Sequence, residues 1–180
     1  MAICRRSSGA RAASTRGRSE LFSLRDQGLA RVIYTTKGDA RFSCNGTLTA
    51  SGEFVRKYPS LTQRVVNTYV RAAKWLADRQ ADPSEAFQLW TRSGQRFSEF
   101  KEDWQGDVIK DRASPLLDAY ISARYAEAIE DARRYGLIRK DFSFEPWVDS
   151  QFLANALERE HLSTFWSPLG APQPVATARK

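Results

Sequence analysis

The feature that most limits how this chain can fold is the pattern of residues 51–90, SGEFVRKYPSLTQRVVNTYVRAAKWLADRQADPSEAFQLW. Proline lacks a backbone N–H and disfavours helix in the residue before it, so Pro59 divides the stretch into a short helix and a long one. Ser60 is placed to cap the long helix, and Gln63, three residues on, to complete a capping box. Leu61, Val65, Tyr69, Ala72, Ala73 and Leu76 recur at helical spacing and predict one apolar face turned to a core. Arg64, Asn67, Arg71, Lys74 and Asp78 occupy much of the remaining surface. Asp82-Pro83-Ser84-Glu85 restarts a helix, with Asp82 as cap, Pro83 in the first turn and Glu85 at the box position.

Upstream, residues 20–28 read as a short helix stopped by Gly28, and the β-branched run at 30–36 as a strand. A turn at Lys37-Gly38-Asp39 leads to a second strand over residues 42–50, FSCNGTLTA, where Gly46 implies a bulge or a close backbone approach. Ser51 is the predicted cap of the helix that follows. Downstream, Ser93-Gly94 breaks the helical run and Phe97–Trp104 resumes it. Residues 106–113 read as a polar loop. Ser114-Pro115 opens the second long helix, whose face is Leu117, Tyr120, Ile121, Arg124, Tyr125, Ala128, Ile129 and Ala132, and Gly136 closes it. Leu137-Ile138 is expected to fold back on that helix. A last helix over 148–160 turns Phe152, Leu153, Ala156 and Leu157 inward.

The net charge of +7 is unevenly placed. Residues 1–19 hold Arg5, Arg6, Arg11, Arg16 and Arg18 and no acid, which leaves 23 basic against 21 acidic side chains in the rest. The basic character therefore belongs to a tail, expected to be disordered, and a nucleic-acid footprint on the folded body is not expected. That tail reads as a non-native start, as a basic arm for nucleic acid or anionic membrane, or as a transit-peptide-like leader. Residues 20–169 form the folded domain, and 170–180 a loose tail. Cys4 and Cys44 make neither a disulfide framework nor a metal site; Cys44 is expected to be a small buried residue. No run is apolar enough to cross a membrane, and no apolar segment of a secretory signal follows the basic start.

Several segments together carry a family resemblance. Phe54, Tyr58-Pro59, then Ala72-Ala73-Lys74-Trp75-Leu76-Ala77, then Asp82-Pro83-Ser84-Glu85-Ala86 resemble the C-terminal part of substrate-binding proteins of ABC importers. The branch is the nitrate/sulfonate/taurine type with its pyrimidine-precursor relatives. The pattern from Tyr120 to Ile138, and Trp147-Val148-Asp149 through Leu157, is similar to the closing segment of the same proteins. The resemblance implies a mostly α chain with two or three short strands, the C-terminal fragment of an α/β type II periplasmic binding protein truncated at its N-terminus. It implies a small anion or heterocycle held in an interlobe cleft, an ABC permease as partner, a monomer, no metal and no cofactor. It implies a periplasmic location, whereas the chain as read, without a signal peptide, would stay in the cytoplasm. In that architecture Ser43, Asn45 and Thr47, which alternate along the second strand, are candidates to face the cleft with hydroxyl and amide donors. An ordinary strand with a polar outer face accounts for them equally well.

Catalysis has little support. His161, the sole histidine, stands outside any nucleophile or acid motif and reads as a surface residue. Gly106 and Gly136 are isolated, so there is no phosphate loop, and no Cys/His cluster has metal spacing. Glu99, Glu102, Asp103 and Asp107 read as a solvated helix face and loop. Trp75 with Lys74 and Arg71, and Trp90 with Arg92 and Arg96, could stack nucleic-acid bases, but helical spacing and neighbouring acids favour core packing. The competing function is a small helical binding module whose basic N-terminal arm contacts nucleic acid.

Overall fold

The computed structural model describes residues 2–7, 10–14, 18–35, 37, 46–140 and 142–169, with backbone alone for 2–7, 10–14 and 18–21. The elements are β1 (Ala2–Ser7), β2 (Ala10–Ser14), α1 (Arg18–Asp26), β3 (Ala30–Tyr34), α2 (Gly52–Lys57), α3 (Pro59–Ala77), α4 (Ser84–Trp90), α5 (Phe97–Trp104), α6 (Ile109–Arg112), α7 (Ala119–Arg134) and α8 (Gln151–Arg159). Two further short turns of 3-10 helix lie at Thr91–Ser93 and Glu145–Trp147. The chain is mostly helical, as expected. It divides into two compact units, one of residues 1–42 and 76–112, the other of 43–75 and 113–180.

In the first unit the three strands form an antiparallel sheet in the order β2-β1-β3, with Cys4 opposite Ala13 and Arg31. Two segments of the tail expected to be disordered are thus strands. Composition undercounts them because the β-branched β3 offers a strand edge, and backbone pairing there does not need a side-chain core. Helix α1 packs on β3 and α5 and ends before Gly28, whose φ of +68° suits a residue without Cβ.

An aromatic cluster fills this unit. Phe87, 3% exposed, meets Trp90, Phe97, Phe100 and Trp104 at centroid distances from 5.6 to 6.3 Å. Trp90 also packs on Phe100 and Trp104, so this part of the aromatic-basic pattern is core. The Arg112 guanidinium lies 3.8 Å over the Trp104 ring and pairs with Asp103 and Asp107, each at 2.6 Å. The carboxylates read as a solvated face are therefore engaged. Glu99 is buried, accepting from the Arg96 side chain at 2.8 Å and from the Arg96 backbone N–H at 3.3 Å. The polar segment 106–113 contains α6, whose Ile109 is buried; Gln80 Oε1 accepts from Ile109 N at 2.6 Å.

Arg25 joins α1 to α5 through paired bonds to Glu102, 2.5 and 2.8 Å, and also holds Asp26. Hydrogen bonding to Arg25 holds the Glu102 carboxyl below its ordinary value of 4.5 against the opposing effect of partial burial. Lys37 Nζ donates to the carbonyls of Glu102, Asp103 and Gln105, satisfying the C-terminal acceptors of α5.

In the second unit Ser51 caps α2 as predicted, accepting from Phe54 N at 3.2 Å. Helix α3 starts two residues earlier than read, at Pro59 rather than after a Ser60 cap. Proline at the first position needs no N–H partner, and Tyr58 O takes the bond from Thr62 N. Ser60 therefore lies inside the helix and the expected box is not formed. Gln63 Nε2 instead donates to Asn67 Oδ1 at 2.7 Å and to Phe152 O at 2.9 Å. At the next restart, in the first unit, Asp82 accepts from Ser84 N while Glu85 pairs with Arg79, so the second box is likewise replaced. Helix α7 starts at Ala119 rather than at Ser114-Pro115, because Asp118 accepts from Ile121 N and supplies the cap.

The largest correction concerns α3. Of the predicted face, Ala73 and Leu76 are buried as expected, but Leu61, Val65, Tyr69 and Ala72 are exposed, and Thr62, Asn67 and Val70 are buried instead. The core joins Val70 and Ala73 to Ala156, Leu157 and Trp166, with Val66, Leu116, Leu153, Leu162 and Phe165 against it. Val70 and Ala156 have no exposed surface. Helix α8 turns the predicted residues inward, and Gly136 ends α7 with φ +67°, but Leu137 is exposed rather than folded back.

Val70→Ala is expected to cost about 1.5–3 kcal/mol in urea unfolding, and Leu61→Ala under about 0.5 kcal/mol, the reverse of what the sequence stripe implies. Glu102→Gln tests the α1–α5 link. Because the folded carboxyl titrates below its unfolded value, its contribution is present above pH 4.5 and is lost as pH falls through the lower folded value. The variant should therefore be less stable at neutral pH and show a shallower loss on acidification, read by thermal denaturation.

Candidate functional site

Of the three residues expected to face a cleft, Ser43 and Asn45 lie outside the described residues. Thr47 is described. Residues 46–50 form no strand and are all exposed, so the second strand is not seen in the part of 42–50 that is described. A Cβ on Gly46 would meet nothing within 4 Å, so no close backbone approach requires that glycine.

Thr47 is nevertheless held. Its Oγ1 lies 3.2 Å from the phenolic oxygen of Tyr125, and either hydroxyl can donate. The Asp118 cap fixes the start of α7, and Tyr120 and Ile121 anchor its buried side. That leaves Tyr125 half-buried, with its ring parallel to Phe144 at 4.4 Å and 7° between planes. Phe144 is set by the turn Glu145–Trp147, where Pro146 fixes the backbone. A hydroxyl carries one donor and two acceptor sites, so when one hydroxyl donates to the other, the acceptor keeps its own hydrogen for an outside oxygen. Thr47 and Tyr125 therefore present an outward donor beside a flat aromatic pair. The arrangement can bind a small oxygen-bearing solute.

Tyr125 and Phe144 were missed as site residues. The helical spacing places Tyr125 on the α7 face, and the sequence pattern carries no signal at Phe144. The available signal was the phenol itself, since a buried-face tyrosine needs a partner for its O–H.

A concavity in this unit, about 360 Å³, is lined by Leu116, Leu117, Leu153, Leu157 and Pro168, with Asp118 and Ser150 among its polar residues. Asp118 accepts from Leu169 N at 2.7 Å as well as from Ile121 N. A carboxylate at the rim of an apolar groove is a poor neighbour for an anion.

Other sequence candidates are placed elsewhere. His161 is exposed, with φ of +57°. Cys44 lies outside the described residues. Among the described residues no group of His, Cys, Asp and Glu is arranged for a metal, and no helix is long and apolar enough to cross a membrane.

No family model matches the chain, and no curated protein matches it. A solved structure does: a protein named as the periplasmic sulfonate-binding protein SsuA of a sulfonate ABC transporter, from Methylobacillus flagellatus KT. The TM-score is 0.72 at 24% identity, over 86% of this chain and 47% of that one. The chain thus has the fold of part of a periplasmic binding protein and spans about half the length of the protein it resembles.

Pairing of the two aromatic rings should appear in a double-mutant cycle. Tyr125→Leu with Phe144→Leu is expected to give a coupling of about 0.5–1.5 kcal/mol in urea unfolding, and Thr47→Val only the loss of one exposed hydrogen bond, about 0.5 kcal/mol.

Proposed function

We propose that this chain is part of the solute-binding component of an ABC importer. The observation that carries the reading is the fold likeness to a sulfonate-binding protein over most of the chain. The order of Tyr58-Pro59, Ala72 to Ala77 and Asp82 to Ala86 along the sequence supports it independently. In this reading the ligand is a small anion such as a sulfonate or nitrate, or a pyrimidine-precursor heterocycle. Thr47, with Ser43 and Asn45 on the same segment, donates to its oxygens, and the Tyr125–Phe144 pair offers a plane for its apolar part.

The work of such a protein is done by closure. A ligand shifts the equilibrium toward a closed form only by the contacts it gains there. A chain that spans half of the fold supplies part of those contacts, so binding by this chain alone is weak. Location in the periplasm, delivery to a permease and a monomeric state follow from the same reading, as does the status of the chain as a C-terminal, type II fragment.

Titration of the isotope-labelled chain with ethanesulfonate, nitrate and a pyrimidine should move the amide signals of Thr47 and Tyr125 for one of the three. The dissociation constant should be about 1 mM or weaker, about −4 kcal/mol. Thr47→Val should remove the effect. Absence of site-specific shifts with all three would overturn the site, and micromolar affinity of the chain alone would overturn the half-cleft.

A further inference from the structure

The large apolar side chains that stand furthest out of this chain are close together in sequence. Among the described residues Leu137 and Trp147, each 77% exposed, and Tyr135, 67% exposed, exceed every other. Phe142, also exposed, touches Trp147 with ring centroids 5.5 Å apart. Side chains this exposed project from the surface, unlike the ridge of Leu61, Val65 and Tyr69 on α3, which is 40–44% exposed and lies closer to flush. The backbone beneath them is fixed at both ends. After the Gly136 turn that ends α7, Leu137 N donates to Ala132 O at 2.8 Å. Further on, Phe144 stacks on Tyr125, and Trp147 N donates to Phe144 O at 2.9 Å. Phe144 therefore tethers the segment to α7 while Phe142 and Trp147, on either side of it, stay open. Apolar groups concentrated in this way on one short segment mark an interaction surface.

Charge selects the occupant. Residues 133–140, RRYGLIRK, hold four cations and no acid. The Arg134 guanidinium lies 5.0 Å over the Tyr135 ring, donates to its hydroxyl at 3.2 Å and pairs with Asp131. Arg133, Arg139 and Lys140 are exposed. The next acids are Asp141, outside the described residues, and Glu145, which is exposed. Cations beside projecting Trp, Tyr and Leu match the boundary of an anionic bilayer. There aromatic rings sit at headgroup level, aliphatic tips enter the acyl region, and Arg and Lys meet the headgroups. A second copy would set Arg139 and Lys140 against like charges. A folded protein would need a matching pocket for each projecting side chain, whereas a fluid interface closes around any shape.

We propose that residues 133–147 are a peripheral membrane contact. Trp147, Tyr135 and Leu137 enter the interface of an anionic lipid surface, and Arg139 and Lys140 hold its headgroups. The chain lies on the bilayer without spanning it, in keeping with the described helices, none of which is long and apolar enough to cross. The contact is independent of any solute. Under the function proposed above it keeps the solute-binding part at the membrane where a permease resides.

The test is flotation of the full chain with vesicles of phosphatidylcholine, alone or mixed with phosphatidylglycerol at about two to one. The chain is expected to float with the mixed vesicles, far less with phosphatidylcholine alone, and to be released by high salt. Leu137→Ser combined with Trp147→Ser should lower partitioning at least about tenfold. Arg139→Gln combined with Lys140→Gln should lower it about tenfold. Because these positions are exposed, melting temperatures should hold. Trp147→Phe should still bind but lose much of the fluorescence quenching given by brominated acyl chains. No flotation, or equal flotation with both kinds of vesicle, would overturn the proposal. So would binding that survives Leu137→Ser with Trp147→Ser, which would assign it to the arginines of residues 1–19, or quenching unchanged in Trp147→Phe. Should the serine pair melt lower, the Trp147→Phe quenching decides. No solute enters the measurement, so its failure leaves the Thr47 and Tyr125 titration standing.

Discussion

The contact between α3 and α8 is the constraint on which the second unit depends. Val70 and Ala156 are without exposed surface, Ala73 lies beside them, and Trp166 closes over the group. Two alanines at the contact allow helices to approach closely, and the aromatic side chain then fills what the small residues leave open. The same approach lets Gln63 cross from α3 to the carbonyl of Phe152, next to Asn67, so the polar groups at that level are paired. Once this contact sets the rotation of α3, the outward position of Leu61, Val65 and Tyr69 follows, because side chains on one helix cannot turn independently.

The first unit solves the problem of its small core differently. Its interior is the group of rings around Phe87, and a set of arginines and carboxylates ties the elements at its edge. Many of these pairs are partly solvated and individually weak. Their role is geometric. Arg25 fixes α1 against α5, and Lys37 gathers three carbonyls at the end of α5. The Arg112 guanidinium on Trp104 uses both its charge and its flat face, which a lysine could not do equally.

These two arrangements bear on function through what they leave open. In a binding protein the recognising groups are few and are positioned by a rigid frame. Under the proposed function the hydroxyl of Tyr125 is such a group: α7 carries it, Phe144 stacks on its ring and Thr47 is its partner. The exposed ridge on α3 has a different character. It is apolar and extended along the helix, which suits packing against another layer rather than selection of a small solute.

The sequence by itself determined that most of the chain is helical and where several of its helices end. Ser51 as a cap, Gly94 and Gly136 as stops and the bounds of α5 follow from local backbone chemistry, which a few neighbouring residues decide. Tertiary structure alone decided which face of α3 is buried. Leu61, Val65 and Tyr69 lie at helical spacing, and so do Val66, Val70 and Ala73, a short rotation away. Periodicity shows that a helix has an apolar side and cannot tell two adjacent apolar sides apart. The choice belongs to the partner surface, here Ala156, Leu157 and Trp166, nearly a hundred residues downstream. The same holds for Tyr125, whose hydroxyl meets Thr47 only because the fold brings the two together.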